Sequence, residues 1–174
     1  PGFKEQTETI AHDYASSKKV KLVECGQTRH DSTRILYGAA SNEQVIIHEA
    51  ARPAITPSRI QGLIDNPRDN VSYCESIPFS MCHVDHDSGR LISRVDRETT
   101  RNIQLPQKFV KSHLASAHET ALAEGKIYTE DAMLVAEVGG HAVYFQEGWR
   151  TNFKITNRDD FKIAEVVMRE LHTQ

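Results

Sequence analysis

Cysteine is scarce in this chain of 174 residues: Cys25, Cys74 and Cys82 lie far apart and form no C-x-x-C pair. That excludes a thiolate zinc module. An odd, scattered set of three predicts reduced thiols and a cytoplasmic location. Long apolar runs are missing too, and none approaches the roughly 20 residues a membrane-spanning helix needs. Residues 1–14 are polar enough that no secretory leader is expected there. No basic run stands out and the net charge is -3, so a nucleic-acid groove is not expected. Gly26 and Gly38 do not make a phosphate-cradling pattern. The apolar fraction of 39% is modest for an α/β domain, which suggests that part of a core lies outside these residues.

What is present is an alternation of strands and helices. The spacing predicts an amphipathic helix over Phe3–Ser16, with Phe3, Thr7, Ile10, Ala11 and Tyr14 on one face. Val20–Glu24 alternates as a strand, Cys25-Gly26-Gln27 reads as a turn, and Asp31 is placed to cap a helix carrying Ile35, Leu36 and Ala39. Val45–His48 reads as a buried strand. Thr56 and Pro57 then open a helix whose Ile60, Leu63 and Ile64 face inward and which Asn66-Pro67 ends. This rhythm is that of a parallel sheet flanked by helices. The middle differs: Val71–Glu75, Phe79–Val84 and Leu91–Val95 are short strands without helices between them, and Asp85–Gly89 is a hairpin turn. Helices are expected again over Gln107–Glu124 and, capped by Thr129, through Val138. Ala142–Phe145 is a strand, and Asn157 caps a last helix with Phe161, Ala164, Val167, Met168 and Leu171 on its buried face.

The stretch Val45-Ile46-Ile47-His48-Glu49-Ala50-Ala51-Arg52-Pro53 organises the chain. Ligands in α/β sheets sit at the carboxyl ends of strands. Ala50 and Ala51 let a ligand approach the backbone, Glu49 suits a metal or a ribose hydroxyl, and Arg52 suits a phosphate. The plainer alternative is a strand-to-helix turn with a surface ion pair. His83-Val84-Asp85-His86-Asp87 has metal-ligand residue types, but consecutive turn residues rarely close a tetrahedral site, so a solvated hairpin tip is expected.

The same stretch resembles the His-Asp-Ala-Ala-Arg-Pro segment of the 2-C-methyl-D-erythritol 4-phosphate and ribitol 5-phosphate cytidylyltransferase family, with Glu49 in place of the usual aspartate. Further matches follow in order: Val95-Asp96-Arg97, Pro106-Gln107, Thr129-Glu130-Asp131-Ala132 and Asn152-Phe153-Lys154-Ile155-Thr156. Each motif is weak alone, but five in order over nearly the whole chain are specific. The resemblance implies a Rossmann-like nucleotidyltransferase sheet with flanking helices and an inserted β-arm over residues 71–104 that clasps a second subunit. It also implies that the glycine-rich triphosphate loop and central first strand precede these residues. The chain would then be the C-terminal two-thirds or more of one such domain. The strand edges at Val20–Glu24 and Val45–His48 would face the slot that this strand fills.

By the same resemblance, Gly26, Gln27 and Ser32 read the pyrimidine edge, and Glu49 and Ala50 contact the nucleotide. Arg52, Ser80 and Thr129 contact the second substrate. Lys154 meets the phosphate at the reaction centre, helped by the helix N-terminus beside it. Arg97 reaches the neighbouring subunit's substrate, Mg²⁺ is the expected cofactor, and Glu49 is its candidate ligand. Plainer readings stand beside these: a capped glycine turn, a surface lysine at Lys154, an Asp96–Arg97 hairpin pair, and a plain N-cap at Thr129. Cys82 stands where the family has a lysine, and Leu105 where it has a threonine. Those two departures point away from methylerythritol 4-phosphate toward another polyol or sugar phosphate. The expected function is a cytidylyltransferase joining CTP to such a phosphate, as a homodimer. The alternative is a non-catalytic, dimerising nucleotide-binding member of the family.

Overall fold

Four strands build the central sheet of the protein, a computed structural model that describes residues 3–15 and 19–172. They are β1 (Gln44–Ile47), β5 (Arg101–Val110), β2 (Val71–Ser76) and β6 (Tyr144–Glu147), side by side in that order. β2 runs antiparallel to β5 and parallel to β6. A separate antiparallel pair, β3 (Cys82–Val84) and β4 (Leu91–Arg94), forms a hairpin arm. The helices are α1 (Lys4–Ala15), α2 (Arg29–Ala39), α3 (Pro57–Asp65), α4 (Lys111–Ala123), α5 (Asp131–Glu137) and α6 (Arg158–His172). The expected α/β class is observed, and among the described residues no helix is long and apolar enough to cross a membrane. The chain divides into two units, residues 1–45 with 109–142 and residues 46–108 with 143–174.

In the first unit, α4 and α5 supply the core: Leu114, Ala117 and Ala121 are buried with Leu134 and Val135. α2 starts with a capping box, in which the Thr28 hydroxyl accepts from Asp31 N–H at 3.1 Å and the Asp31 carboxylate accepts from Thr28 N–H at 3.2 Å. Asp31 is therefore the third helical residue rather than the cap. α1 forms as expected, although Ser16 lies outside the described residues, but it buries nothing, and Phe3, Ile10 and Tyr14 stay exposed. Val20–Glu24 joins no ladder. Alternation assigns faces, but a strand also needs a hydrogen-bonding neighbour, and the described residues supply none.

In the second unit, Leu63 of α3 packs with Val71 and Tyr73 of β2, and Ile46 and Trp149 complete the cluster. Tyr73 donates its hydroxyl to the Arg59 carbonyl at 2.8 Å and meets Trp149 edge to face, while the Arg59 guanidinium covers the indole at 4.5 Å. Thr56 occupies the N-cap of α3 without a side-chain cap bond, and Pro57 sits at its first turn. Ile64, expected inward, is half exposed, because one helical step past Leu63 turns the side chain about 100° away.

The main correction concerns β5. The helix expected from Gln107 begins at Lys111, and residues 101–110 form the longest strand. Residues 104–109 are all buried, so Gln104, Gln107 and Lys108 are interior polar groups rather than markers of a surface. Lys108 reaches the Asn66 carbonyl at 2.5 Å, which satisfies its ammonium. β2 and β5 both belong to the central sheet, so the arm spans much less than residues 71–104. β1 lies one residue, and β6 two residues, from the expected bounds.

Leu63→Ala is expected to cost about 2–5 kcal/mol, the usual range for emptying a closed leucine site. Ile64→Ala, on a half-exposed position, should cost under about 1 kcal/mol. Urea denaturation of the two variants beside the parent checks this ordering, and equal losses would contradict the packing described.

Candidate active site

The loop after β1 is held by three hydrogen bonds of its own and by one to Asn152. Arg52 N–H donates to the Glu49 carbonyl at 2.9 Å, closing a tight turn. His48 Nε2 donates to the Arg52 carbonyl at 3.0 Å. Arg52 Nε donates to Glu49 Oε2 at 3.2 Å, and Arg52 Nη1 donates to the Asn152 carbonyl at 2.6 Å. From the other side, Ile155 N–H donates to the Ala51 carbonyl at 2.8 Å. Lys154 then reaches Glu49 Oε1 at 3.1 Å. The structure therefore brings together three of the expected residues, Glu49, Arg52 and Lys154, one carboxylate between two cations.

The two ion pairs differ in kind. The side chains of Glu49 and Arg52 are only 18% and 11% exposed, while that of Lys154 is 44% exposed. Breaking a buried pair by removing one partner costs about 3–5 kcal/mol, whereas an exposed pair contributes roughly 0.2–1 kcal/mol. Arg52–Glu49 is the more buried pair, and Lys154–Glu49 is the more exposed one. Burial opposes ionisation of Glu49, but the hydrogen bonds and charges of Lys154 and Arg52 outweigh it and hold the carboxyl below its ordinary range.

A cavity of about 690 Å³ borders Ala50, Ala51 and Pro53 and runs along α6 past Phe161, Ala164 and Met168. The start of α6 is not an open anion site. Asn157 Oδ1 accepts from Asp159 and Asp160 N–H, and the Asp160 carboxylate accepts from Thr156 and Asn157 N–H. The Asn157 amide oxygen and the Asp160 carboxylate already occupy the amides at this end of the helix. Lys154 thus offers its own charge without the expected help from the dipole.

Glu49 is a poor fit to the expected role of metal ligand. Both of its oxygens face cations, and the described residues contain no group of three or more His, Cys, Asp or Glu side chains placed to hold an ion. Mg²⁺ usually takes one or two carboxylates plus substrate phosphates. At the hairpin tip His83–Asp87, the Asp85 carboxylate accepts from the Ser88 N–H and hydroxyl, and His86 and Asp87 are fully exposed.

The turn expected to read the pyrimidine edge sits in the first unit. Gly26 N–H donates to the Ser32 hydroxyl at 3.1 Å, and that hydroxyl donates to the Thr28 carbonyl at 2.9 Å. A Cβ at Gly26 would overlap Asp31 and the Ser32 backbone, so this close approach requires glycine. Two of the groups expected to read a base are thus bonded to one another, while Gln27 is exposed. Thr129 is also exposed, and the cap of α5 is Glu130, whose carboxylate accepts from Ala132 N–H. On the arm, Ser80 and Arg97 line one small cavity. The alternative Asp96–Arg97 pair is not what the side chains make. Asp96 accepts from Glu98 N–H and the Thr99 hydroxyl, and Arg97 lies 3.5 Å from the Pro78 carbonyl. Cys82 is exposed, but Leu105 is only 2% exposed and fills the core, so its departure from threonine presents nothing to a ligand.

Four site-building residues escaped the sequence reading. Asn152 is fully buried and donates to the Leu105 carbonyl at 2.7 Å, which fixes the carbonyl that receives Arg52. Gln104 donates to Glu75 at 3.0 Å and to the Trp149 carbonyl at 3.1 Å. Gly148 leaves no room for a Cβ against Gln104 and Cys74, which seats the 148–152 turn. The fourth is His48. In the first unit, a further buried cluster went unseen: His118 lies 3.2 Å from His30, and Arg29 holds Asp131 at 3.0 Å. Burial and the neighbouring His118 push the His30 imidazole below its ordinary range. Nothing in the local sequence announces either group, because each is assembled from distant segments.

Comparison with known proteins supplies the frame. The profile of the family described as IspD, 2-C-methyl-D-erythritol 4-phosphate cytidylyltransferase, matches residues 3–170. A protein of that name from Clostridium botulinum (strain ATCC 19397 / Type A) is 33% identical over 165 residues, spanning 93% of this chain and 72% of its own. One from Bacillus pumilus (strain SAFR-032) is 30% identical over 162 residues, spanning 92% and 71%. The crystal structure of the enzyme of that name from Thermus thermophilus is 30% identical, with a TM-score of 0.75 over 84% of this chain and 72% of that one. The 4-diphosphocytidyl-2C-methyl-D-erythritol synthase of Anaerococcus prevotii DSM 20548, 22% identical, shares the fold with a TM-score of 0.85 over 97% and 78%.

The Glu49 network has a pH signature. Because its folded pKa lies below the unfolded value of about 4.3, its stabilisation is complete above that value and is lost as pH falls through the folded one. The melting temperature of Glu49→Gln should therefore lie below the parent's by a constant margin at neutral pH. The margin should narrow below about pH 4.3. A margin independent of pH down to acid unfolding would show that Glu49 is not held ionised by its partners.

Proposed function

We propose, for a chain that belongs to the 2-C-methyl-D-erythritol 4-phosphate cytidylyltransferase family, the transfer of the cytidylyl group of CTP to the phosphate of a small alcohol phosphate. A phosphate oxygen of the alcohol phosphate forms a bond to the α-phosphorus of CTP. The bond from that phosphorus to the bridging oxygen breaks, and pyrophosphate leaves with the electron pair. The products are a CDP-alcohol and pyrophosphate. The attacking phosphate is largely a dianion near neutral pH, since its second pKa is about 6. No general base is required, and catalysis consists of placing two polyanions in line and screening their charge.

The observation that carries this reading is the Glu49–Arg52–Lys154 array. Arg52 is immobilised by Glu49 and the Asn152 carbonyl, while Lys154 makes an exposed contact to Glu49. A phosphate at the reaction centre draws Lys154 from Glu49 at small cost. Gly26, Gln27 and Ser32 take the role of reading cytosine, Ala50 gives close backbone approach, and Thr129 and Ser80 supply hydroxyls to the second substrate. Mg²⁺ comes with the triphosphate as part of the substrate, which suits a chain whose own carboxylate is already paired.

For the alcohol phosphate we take the one in the relatives' names, 2-C-methyl-D-erythritol 4-phosphate. Leu105 is buried, which removes one of the two grounds for a different substrate. Cys82, exposed on the arm where the family has a lysine, is the specific observation that favours another polyol phosphate such as ribitol 5-phosphate.

The arm also carries the proposed assembly. Phe79, Val84, Leu91 and Ile92 are all more than half exposed, and a two-stranded arm offers unpaired edges. A twofold dimer covers both arms at once and delivers Arg97 to the partner's site. The test is pyrophosphate release from CTP with each alcohol phosphate. Arg97→Ala and Lys154→Ala homodimers should each be nearly inactive. After subunit exchange, each heterodimer has one site with both defects and one with neither, so about half the activity per heterodimer should return. Release from ATP as readily as from CTP would overturn the cytidylyl reading, and no recovery despite confirmed exchange would overturn the shared site.

A further inference from the structure

We infer that His48 is the positioning residue of this site: its neutral, Nε2-protonated imidazole clamps the Arg52 carbonyl and so fixes where the Arg52 guanidinium points. The acceptor is a carbonyl, so Nε2 must carry the proton across the 3.0 Å contact. The other ring nitrogen, Nδ1, is buried and has no hydrogen-bond partner among the described residues. A second proton there would place an unpaired N–H and a charge in the interior beside Arg52. Burial accordingly pushes the imidazole below its ordinary range and, with the Arg52 charge, outweighs the opposing Arg52 carbonyl bond and Glu49 charge. The ring is thus a donor at one end and inert at the other, and this single tautomer is the only form that fits.

What the clamp controls follows from the bonds already described. The backbone of residue 52 is fixed at two points, by its N–H to Glu49 and by its carbonyl to His48. The side chain is fixed at two more, by Glu49 and by the Asn152 carbonyl. Without the His48 bond, the carbonyl end of the turn is free to rotate. Arg52 then loses its registration on Asn152, and Glu49 its registration between Arg52 and Lys154. His48 touches neither substrate in this account. It acts through Arg52, and its catalytic consequence rests on the function proposed above.

Side-chain length provides a discriminating pair of variants. The amide nitrogen of glutamine reaches about as far as Nε2 of histidine, so His48→Gln keeps a donor at the carbonyl, while His48→Phe keeps ring volume without one. The first readout needs no activity. In nitrogen-15 spectra of the full chain, the parent His48 should show the Nε2–H tautomer, and the Arg52 Nε–H signal should be resolved and protected. That signal should be lost or shifted in His48→Phe and return in His48→Gln. The second readout is pyrophosphate release, expected to fall about ten- to a hundredfold in His48→Phe, chiefly in kcat/KM, and to recover most of the loss in His48→Gln. An Nδ1–H or doubly protonated ring in the parent overturns the inference even if neither variant folds, and so does an Arg52 signal indifferent to His48→Phe. Arg52 signals that behave as expected in a protein without cytidylyl transfer would support the clamp and reject the function instead.

Discussion

The ion pair between Arg52 and Glu49 is the constraint on which the site depends. It is short in sequence, largely buried, and anchored at both ends by backbone: the turn bond from Arg52 to Glu49, and the guanidinium bond to the Asn152 carbonyl across a hundred residues. A guanidinium suits this position because its fan of donors serves a carboxylate and a carbonyl at once, which an ammonium could not do in one plane. Every other element of the loop follows. Ala50 and Ala51 are small because the backbone there lies open to the cavity, and Ile155 is tied to Ala51 so that Lys154 projects toward Glu49.

That arrangement divides the labour between two cations. Arg52 gives a fixed direction, and Lys154 gives a movable charge. Because the Lys154 contact is half in water, its loss to a ligand costs little, while loss of the Arg52 contact would leave a buried carboxylate uncompensated. In this site both oxygens of the one carboxylate already face cations. This agrees with a substrate pair in which both partners carry phosphate.

The strand before the loop was legible because β-branched residues and a sharp break in pattern coincide there, and the motif residues Glu49, Arg52 and Lys154 converge as the family resemblance implied. β5 was not legible: Gln104, Gln107 and Lys108 look like surface residues, yet interior carbonyls and carboxylates satisfy them. The cap of α2 lies three residues before the expected Asp31 and that of α5 one residue after the expected Thr129, since these side chains share capping chemistry and only geometry chooses between candidates. His48 was read merely as the end of a strand. Its role depends on which ring nitrogen meets a carbonyl four residues on, and no residue count conveys that.

The central claim is that Lys154 exchanges Glu49 for a substrate phosphate while the Arg52 strut stays in place. Calorimetric titration of the full protein with CTP in the presence of Mg²⁺, for the parent and for Lys154→Ala, tests it most directly. A charged hydrogen bond lost to the ligand is worth about 1.5–3 kcal/mol, so the variant should bind CTP about ten- to a hundredfold more weakly while melting near the parent's temperature. Equal CTP affinity in the two proteins would contradict the account.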